Sequence, residues 1–197
     1  MGTRNLTMVY LDGEYKVAQY GQWDGYPDGQ GITVLGFLRE TMDKEKFIEK
    51  LRASVLVNQK WLEEKWIEYG ANEDDMIKMD DADRFNKAYP HFIRNTGAGI
   101  LEIIQESEPG IALQVDINFA ADSLYCEWLW LIDFDAGTFE GYIGFNQCKL
   151  SENDRFYFLE DKSEHGYYPV RLAASFQLDD LPTKEDFLAA FKEDDDE

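Results

Sequence analysis

The chain has 197 residues and a formal net charge of −21, from 40 Asp and Glu against 19 Lys and Arg. This much negative charge repels phosphate backbones and so excludes direct DNA or RNA binding over most of the surface. With 44% hydrophobic and 15% aromatic residues, the chain is too apolar for a disordered acidic protein. Its two cysteines and two histidines are too few for a disulfide framework or a standard Cys/His zinc site. No apolar run approaches the roughly 20 residues that span a bilayer, and the first residues lack the apolar core of a signal peptide. We therefore expect a cytoplasmic protein without a membrane partner, metal or cofactor.

The first forty residues predict a hairpin, a loop and a helix. Asn5 to Leu11 is rich in β-formers, Asp12-Gly13 is a turn signal, and the extended pattern resumes as far as Tyr20. Four glycines and one proline between residues 20 and 31 predict an irregular loop. A helical apolar pattern begins at about Ile32.

The middle of the chain predicts helices. One long amphipathic helix is expected from about Lys44 to Tyr69, from the spacing of Phe47, Leu51, Val55, Leu62, Trp66 and Tyr69. A second helix should end near Ala88, before Pro90, and a third should cover Ile100 to Glu106.

The second half predicts strands and a last helix. Alternation from Leu113 to Phe119 indicates a half-buried strand, and segments 124–134 and 138–145 flank a glycine-containing turn. A further strand over 168–178 precedes a helix capped by Thr183. The expected fold is therefore α+β in a single domain, residues 1–192: an N-terminal β-hairpin, a mainly helical portion over 44–107, a C-terminal antiparallel β-meander and a terminal helix. Residues 193–197 form an acidic tail that we expect to be disordered.

The loop between residues 20 and 31 is the first candidate site. Glycine amides leading into a helix N-terminus are suited to bind phosphate, and aromatic side chains can stack on a base. The candidate ligand-binding residues are Tyr20, Trp23, Asp24, Tyr26, Gly29 and Gly31. The alternative interpretation is a rigid turn whose aromatics cover the sheet edge, and the sequence leaves both open.

Acidic clusters form the second candidate site. Carboxylates on a folded surface can imitate a phosphate array, although a solvated charged face that serves only solubility is the competing interpretation. The candidate partner-binding carboxylates are Asp74, Asp75, Asp80, Asp81, Asp83, Asp133 and Asp135. Trp61 joins them because it lies about 140° off the apolar stripe of its predicted helix. The sequence contains no arrangement of residues that is typical of a catalytic or metal-binding site.

Two segments carry a family resemblance: Gly2-Thr3-Arg4-Asn5-Leu6-Thr7, and the run from Lys16 to Pro27 followed by Gly29-Gln30-Gly31. They resemble the opening of a group of uncharacterised proteins found in bacteriophages, prophages and bacteria. The resemblance implies a mobile-element context, in which small acidic proteins are often inhibitors of host defence nucleases, of the anti-CRISPR type.

Charge and context together predict an acidic inhibitor without catalytic activity. It would bind a basic, nucleic-acid-binding groove on a host protein such as a CRISPR effector nuclease. The alternative is a small-ligand binder or enzyme that takes a cyclic nucleotide at the loop of residues 20–31.

Overall fold

The fold is an α+β arrangement around one five-stranded sheet. The structure, a computed structural model, describes residues 2–72, 76–162 and 165–192. The elements in chain order are β1 (Asn5–Leu11), β2 (Glu14–Gly21), α1 (Ile32–Gly36), α2 (Lys44–Ala53), β3 (Val55–Val57), α3 (Gln59–Glu68), α4 (Met79–Ala88), α5 (Ile100–Glu106), β4 (Ala112–Gln114), β5 (Trp128–Asp133), β6 (Thr138–Ile143), β7 (Arg171–Gln177) and α6 (Lys184–Ala189). The predicted fold class, with its N-terminal hairpin, C-terminal meander and terminal helix, is confirmed.

The main sheet joins the two ends of the chain. Its strand order is β2-β1-β5-β6-β7. The β1–β2 hairpin closes at Asp12 and Gly13, which have φ of 54° and 81°, the left-handed pair of a tight hairpin turn. Strand β1 also pairs in parallel with β5, with Asn5 opposite Trp128. The sheet is therefore largely antiparallel, as predicted, with one parallel pairing at its centre that the sequence did not indicate.

Strand β5 is covered on both faces. Trp130 and Ile132 belong to one buried cluster, which includes residues from α1, α2, α5 and α6. Leu129 and Leu131 point to the opposite face, against a second cluster built mostly from loops. A strand that is central and buried on both sides needs apolar residues at every position, which explains the run from 128 to 132.

The predicted helix over 44–69 is wrong in its middle. Helix α2 ends at Ala53, Ser54 adopts an extended conformation, and β3 follows before α3 begins. Asn58 accepts a hydrogen bond from the Trp61 amide at 3.0 Å and so caps a new helix. The β-branched Val55 and Val57 pair in parallel with β4, and this long-range pairing overrides the helical spacing.

Two other predictions are corrected. The expected strand over 113–119 ends at Gln114, because a 3₁₀ turn covers Ile117–Ala121 and Asp116 accepts a hydrogen bond from the Asn118 amide at 3.0 Å. The loop predicted to be irregular contains a π-helical turn, Pro27–Gly31, that runs directly into α1. Proline at the start of a helix needs no hydrogen bond for its nitrogen, so Pro27 begins this turn rather than breaking it.

The remaining predicted elements are present, although the strand expected over 124–134 begins only at Trp128. Helices α4 and α5 end where expected, and Thr183 caps α6 by accepting a hydrogen bond from the Asp186 amide at 3.2 Å. No helix within the described ranges is both long and apolar enough to cross a bilayer. The predicted acidic tail, 193–197, lies outside the described residues.

Candidate functional site

The loop after β2, residues 22–31, is held from beneath by Asn5. This side chain is fully buried, and its Nδ2 lies 3.3, 3.2 and 3.3 Å from the carbonyl oxygens of Thr3, Gly21 and Trp23. Buried carbonyl groups need donors, so one amide at the start of β1 determines the path by which the chain leaves β2. We call residues 22–31 the Trp23 loop.

Two further side chains hold the Trp23 loop from the helical side. Trp130 donates from Nε1 to the Gly25 carbonyl at 3.0 Å. Gln30 accepts from the Ala98 amide at 2.7 Å and so ties the loop to the turn before α5. The loop is thus bonded through its backbone to β1 and β5, and through the Gln30 side chain to the turn before α5.

Close packing explains the glycines at two positions of the loop. A Cβ added to Gly25 would lie 2.8 Å from the Thr3 carbonyl oxygen, and one added to Gly31 would lie 2.8 Å from the Trp130 ring. Real side chains do not tolerate such distances, so these positions require glycine for space. The interpretation of the segment as a rigid turn is supported by this packing.

The structure corrects the proposed phosphate cradle at Gly29 to Gly31. The amides of Gly29 and Gly31 donate to the Tyr26 carbonyl at 3.0 and 3.3 Å, and the Gln30 amide donates to the Asp24 carbonyl at 2.8 Å. These donors close the π-helical turn and are not directed at a ligand. The nearby cations are also engaged elsewhere, since Arg39 donates to the carbonyls of residues 181 and 182.

Three of the six predicted ligand residues face outward. Trp23 is 49% exposed, Tyr26 is 51% exposed, and Asp24 lies between them with its side chain exposed and a φ of 57°. Asp28 is also exposed and was not singled out from the sequence. Tyr20 is half-buried, with its hydroxyl donating to Gln22 Oε1 at 2.8 Å. The Trp23 loop therefore presents two aromatic rings and two carboxylates on a constrained backbone.

The predicted carboxylates at the β5–β6 turn are structural. Asp133 is only 2% exposed, accepts hydrogen bonds from the amides of Asp135 and Ala136 at 2.9 and 2.8 Å, and forms an ion pair with Arg155. The prediction that Asp133 contacts a partner is therefore wrong. Asp135 is exposed, but it accepts from the amides of residues 12 and 13 at 2.9 and 2.7 Å and so joins the two hairpin turns.

The remaining predicted partner residues lie on α3 and α4 or outside the described part of the chain. Asp80 and Asp83 are exposed on α4, and Asp81 is paired with Arg84 at 2.7 Å. Asp74 and Asp75 lie outside the described residues. Trp61 is half-buried, with its ring centroid 5.8 Å from that of Tyr89 and 5.9 Å from that of Phe92. Trp61 therefore lies off the apolar stripe of its helix because it packs against Tyr89 and Phe92.

A buried ionic network around Arg155 was not predicted. Besides Asp133, this guanidinium pairs with Glu140 at 3.2 Å, and Glu140 accepts a hydrogen bond of 2.5 Å from the Tyr142 hydroxyl. Burial by itself would lower the pKa of Arg155, but the two carboxylates more than offset this and hold it above its ordinary value. No local sequence signal marks Arg155, because its partners lie on β5 and β6. Among the described residues, no group of three or more His, Cys, Asp or Glu side chains is placed to hold a metal ion.

Comparison of this chain with protein-family models, with curated proteins and with solved structures finds no match.

Proposed function

We propose that this chain is a non-catalytic binding protein of a mobile element, which acts in the cytoplasm of a host cell. Its partner is a host protein with a basic, nucleic-acid-binding surface, such as a CRISPR effector nuclease. The observation that carries the proposal is the rim of the Trp23 loop, defined here as Trp23, Asp24, Tyr26 and Asp28. These four exposed side chains lie within six consecutive positions, 23–28, on a backbone that is bonded inward.

The chemistry of this rim suits a cationic partner. The face of an aromatic ring attracts a guanidinium or ammonium group by about 0.5–2 kcal/mol, and a carboxylate adds charge-assisted hydrogen bonds. Large aromatic side chains are also the residues that most often dominate the binding energy of an interface. A surface rich in arginine and lysine offers the groups that Trp23 and Asp24 would contact.

The constrained backbone of the loop favours tight binding. Ordering a mobile loop on association costs free energy, and that cost is reduced when the loop already has its bound conformation. Asn5 on β1, Trp130 on β5 and the bond from the Ala98 amide to Gln30 of the loop supply this constraint. The overall charge of −21 adds long-range attraction that speeds encounter with a basic surface.

The test compares two double variants that remove the same charge from different places. Asp24→Asn with Asp28→Asn changes the rim, whereas Asp80→Asn with Asp83→Asn removes two exposed carboxylates from α4. Binding of each to an octa-arginine peptide is measured by isothermal titration calorimetry at several salt concentrations. We expect the rim variant to lose affinity and the α4 variant to behave like the parent chain; equal losses would show that only the overall field matters.

A third variant, Trp23→Ala with Tyr26→Ala, tests the aromatic contribution. We expect the dissociation constant to rise about tenfold or more, equivalent to about 1.4 kcal/mol. Urea unfolding should stay cooperative, at a lower midpoint because about half of each ring is buried. The same variants are then assayed for inhibition of target-DNA cleavage by a purified RNA-guided nuclease. An aromatic variant that binds and inhibits as well as the parent chain would refute the proposal.

A further inference from the structure

A cleft of about 340 Å³ lies beside the start of the Trp23 loop, on the side away from its exposed rim residues, none of which lines it. Its walls come from β2, from β4 with the turn that follows it, and from the segment after α4 that contains His91. The hydrogen bond from the Gln22 amide to the Arg94 carbonyl, 3.0 Å, closes one end of the cleft. The volume lies within the range of pockets that bind small ligands.

His91 is the unusual residue of this cleft. It is 5% exposed, and neither ring nitrogen makes a hydrogen bond of standard geometry with a described residue. Burial lowers the pKa of His91, and the backbone of Ala112 only partly opposes this, so the imidazole is held in its neutral form. Because neither ring nitrogen has a partner of standard geometry among the described residues, a bound ligand that pairs with the imidazole would lower the cost of burying it.

The glutamine side chains of the cleft can each offer both an acceptor and a donor. Gln19 donates from Nε2 to the Tyr20 carbonyl at 3.1 Å, and Gln114 donates from Nε2 to Gln59 Oε1 at 3.3 Å. Each glutamine still has its carbonyl oxygen and a second N–H to offer, and neutral His91 can add a further pairing nitrogen. Apolar side chains, including Leu6, Ile93 and Phe119, line the cleft together with Tyr20, Arg94 and Asp116.

We propose that the cleft beside His91 binds a neutral aminopurine, as a free base or as a nucleoside. A planar heterocycle fits between apolar walls, its exocyclic amino group donates to a glutamine carbonyl, and its ring nitrogens pair with the imidazole. The charge of −21 disfavours phosphorylated forms of the same base. This inference does not depend on the function proposed for the Trp23 loop.

The test uses the fact that the chain has only two histidines, His91 and His165. Histidine labelled with ¹⁵N is incorporated, and the ring resonances are followed by NMR while adenine, adenosine, AMP or uracil is added. We expect adenine and adenosine to shift the His91 resonances saturably without shifting those of His165. AMP should bind more weakly than adenosine, and uracil should bind more weakly than adenine, because its single ring lacks the adjacent amino donor and ring-nitrogen acceptor that one glutamine amide can pair with.

Variants separate a ligand site from a merely structural histidine. His91→Phe keeps a ring of similar size without hydrogen-bonding atoms, and Gln114→Leu removes one carbonyl acceptor from a half-buried position. Each should weaken adenosine binding at least tenfold by calorimetry, with His165→Phe as the control that binds like the parent chain. If His91→Phe does not fold, Gln114→Leu and the NMR titration still decide. The inference is overturned if no aminopurine shifts His91, if uracil binds as well as adenine, or if these variants bind adenosine normally.

Discussion

Gly31 and Gly36 allow one substitution to be made twice in a continuous helical segment, with different expected results. Both residues have right-handed helical angles, φ −57° and ψ −50° at Gly31 and φ −60° and ψ −45° at Gly36. Alanine gains about 1 kcal/mol of helix propensity over glycine at such positions. An added Cβ at Gly36 meets no heavy atom within 4 Å. We therefore expect Gly36→Ala to raise the free energy of unfolding by about 0.5–1 kcal/mol.

At Gly31 the same methyl group meets an immobile neighbour. It would lie 2.8 Å from the Trp130 ring and 3.1 Å from that of Phe187, whereas carbon atoms in contact normally lie about 3.5–4.0 Å apart. Trp130 is fully buried and is bonded to the Gly25 carbonyl, so it has no room to retreat. Overpacking of this kind costs about 1–3 kcal/mol. Because the propensity gain is common to both variants, this steric cost is the expected difference between them.

Urea unfolding followed by far-UV circular dichroism measures the free energies of unfolding of the parent chain and of both variants. For a chain of this size each 1 kcal/mol corresponds to about 2–4 °C in Tm, which gives an independent check. If the Gly31→Ala variant were as stable as Gly36→Ala, the Trp130 ring would have moved to accommodate the methyl group. That result would refute the close packing of Trp130 against the Trp23 loop.

Three further results are expected. Replacing Arg155 with Met should lower the free energy of unfolding by about 3–5 kcal/mol in urea titrations, because it leaves the buried Asp133 carboxylate without its cation. The pKa of His91 in the folded chain lies below its ordinary value of 6.5. As pH falls, His91 therefore binds a proton more readily in the unfolded chain, and the free energy of unfolding should decrease below about pH 6.5. The His91→Phe variant should show less of this decrease between pH 7.5 and 5.5. Burial raises the pKa of the Cys126 thiol, whereas Cys148 is exposed, so a thiol reagent at pH 8 should label only Cys148 by mass spectrometry until the chain is denatured.

Local signals in the sequence predicted most elements. The turn at Asp12-Gly13, the cap at Thr183 and the stop before Pro90 act through neighbouring residues, and all three are confirmed. The errors arose where distant residues decide. Val55 to Val57 has helical spacing, but its pairing with β4, more than fifty residues later, makes it a strand.

The sequence singled out the Trp23 loop as unusual but did not indicate the contacts that hold it. The density of glycines and aromatics located the Trp23 loop, whereas the role of each glycine depends on Asn5 and Trp130, which come from other strands. The burial of Asp133 could not be predicted either, because Arg155, with which it pairs, lies 22 residues further along the chain. His91 carried no signal, because the burial of its imidazole, without a partner of standard geometry among the described residues, is a property of the packed molecule.

The parallel pairing of β1 with β5 has a consequence for biosynthesis. Strand β1 can pair with β5 only after Trp128, the partner of Asn5, has been synthesised. At about 5–20 residues per second, the interval between the synthesis of these two residues is roughly 6–25 s. During that time the nascent hairpin leaves the ribosome with an open edge. Completion of the sheet is therefore expected to follow late in synthesis, and chains that stall before β5 should be prone to aggregation.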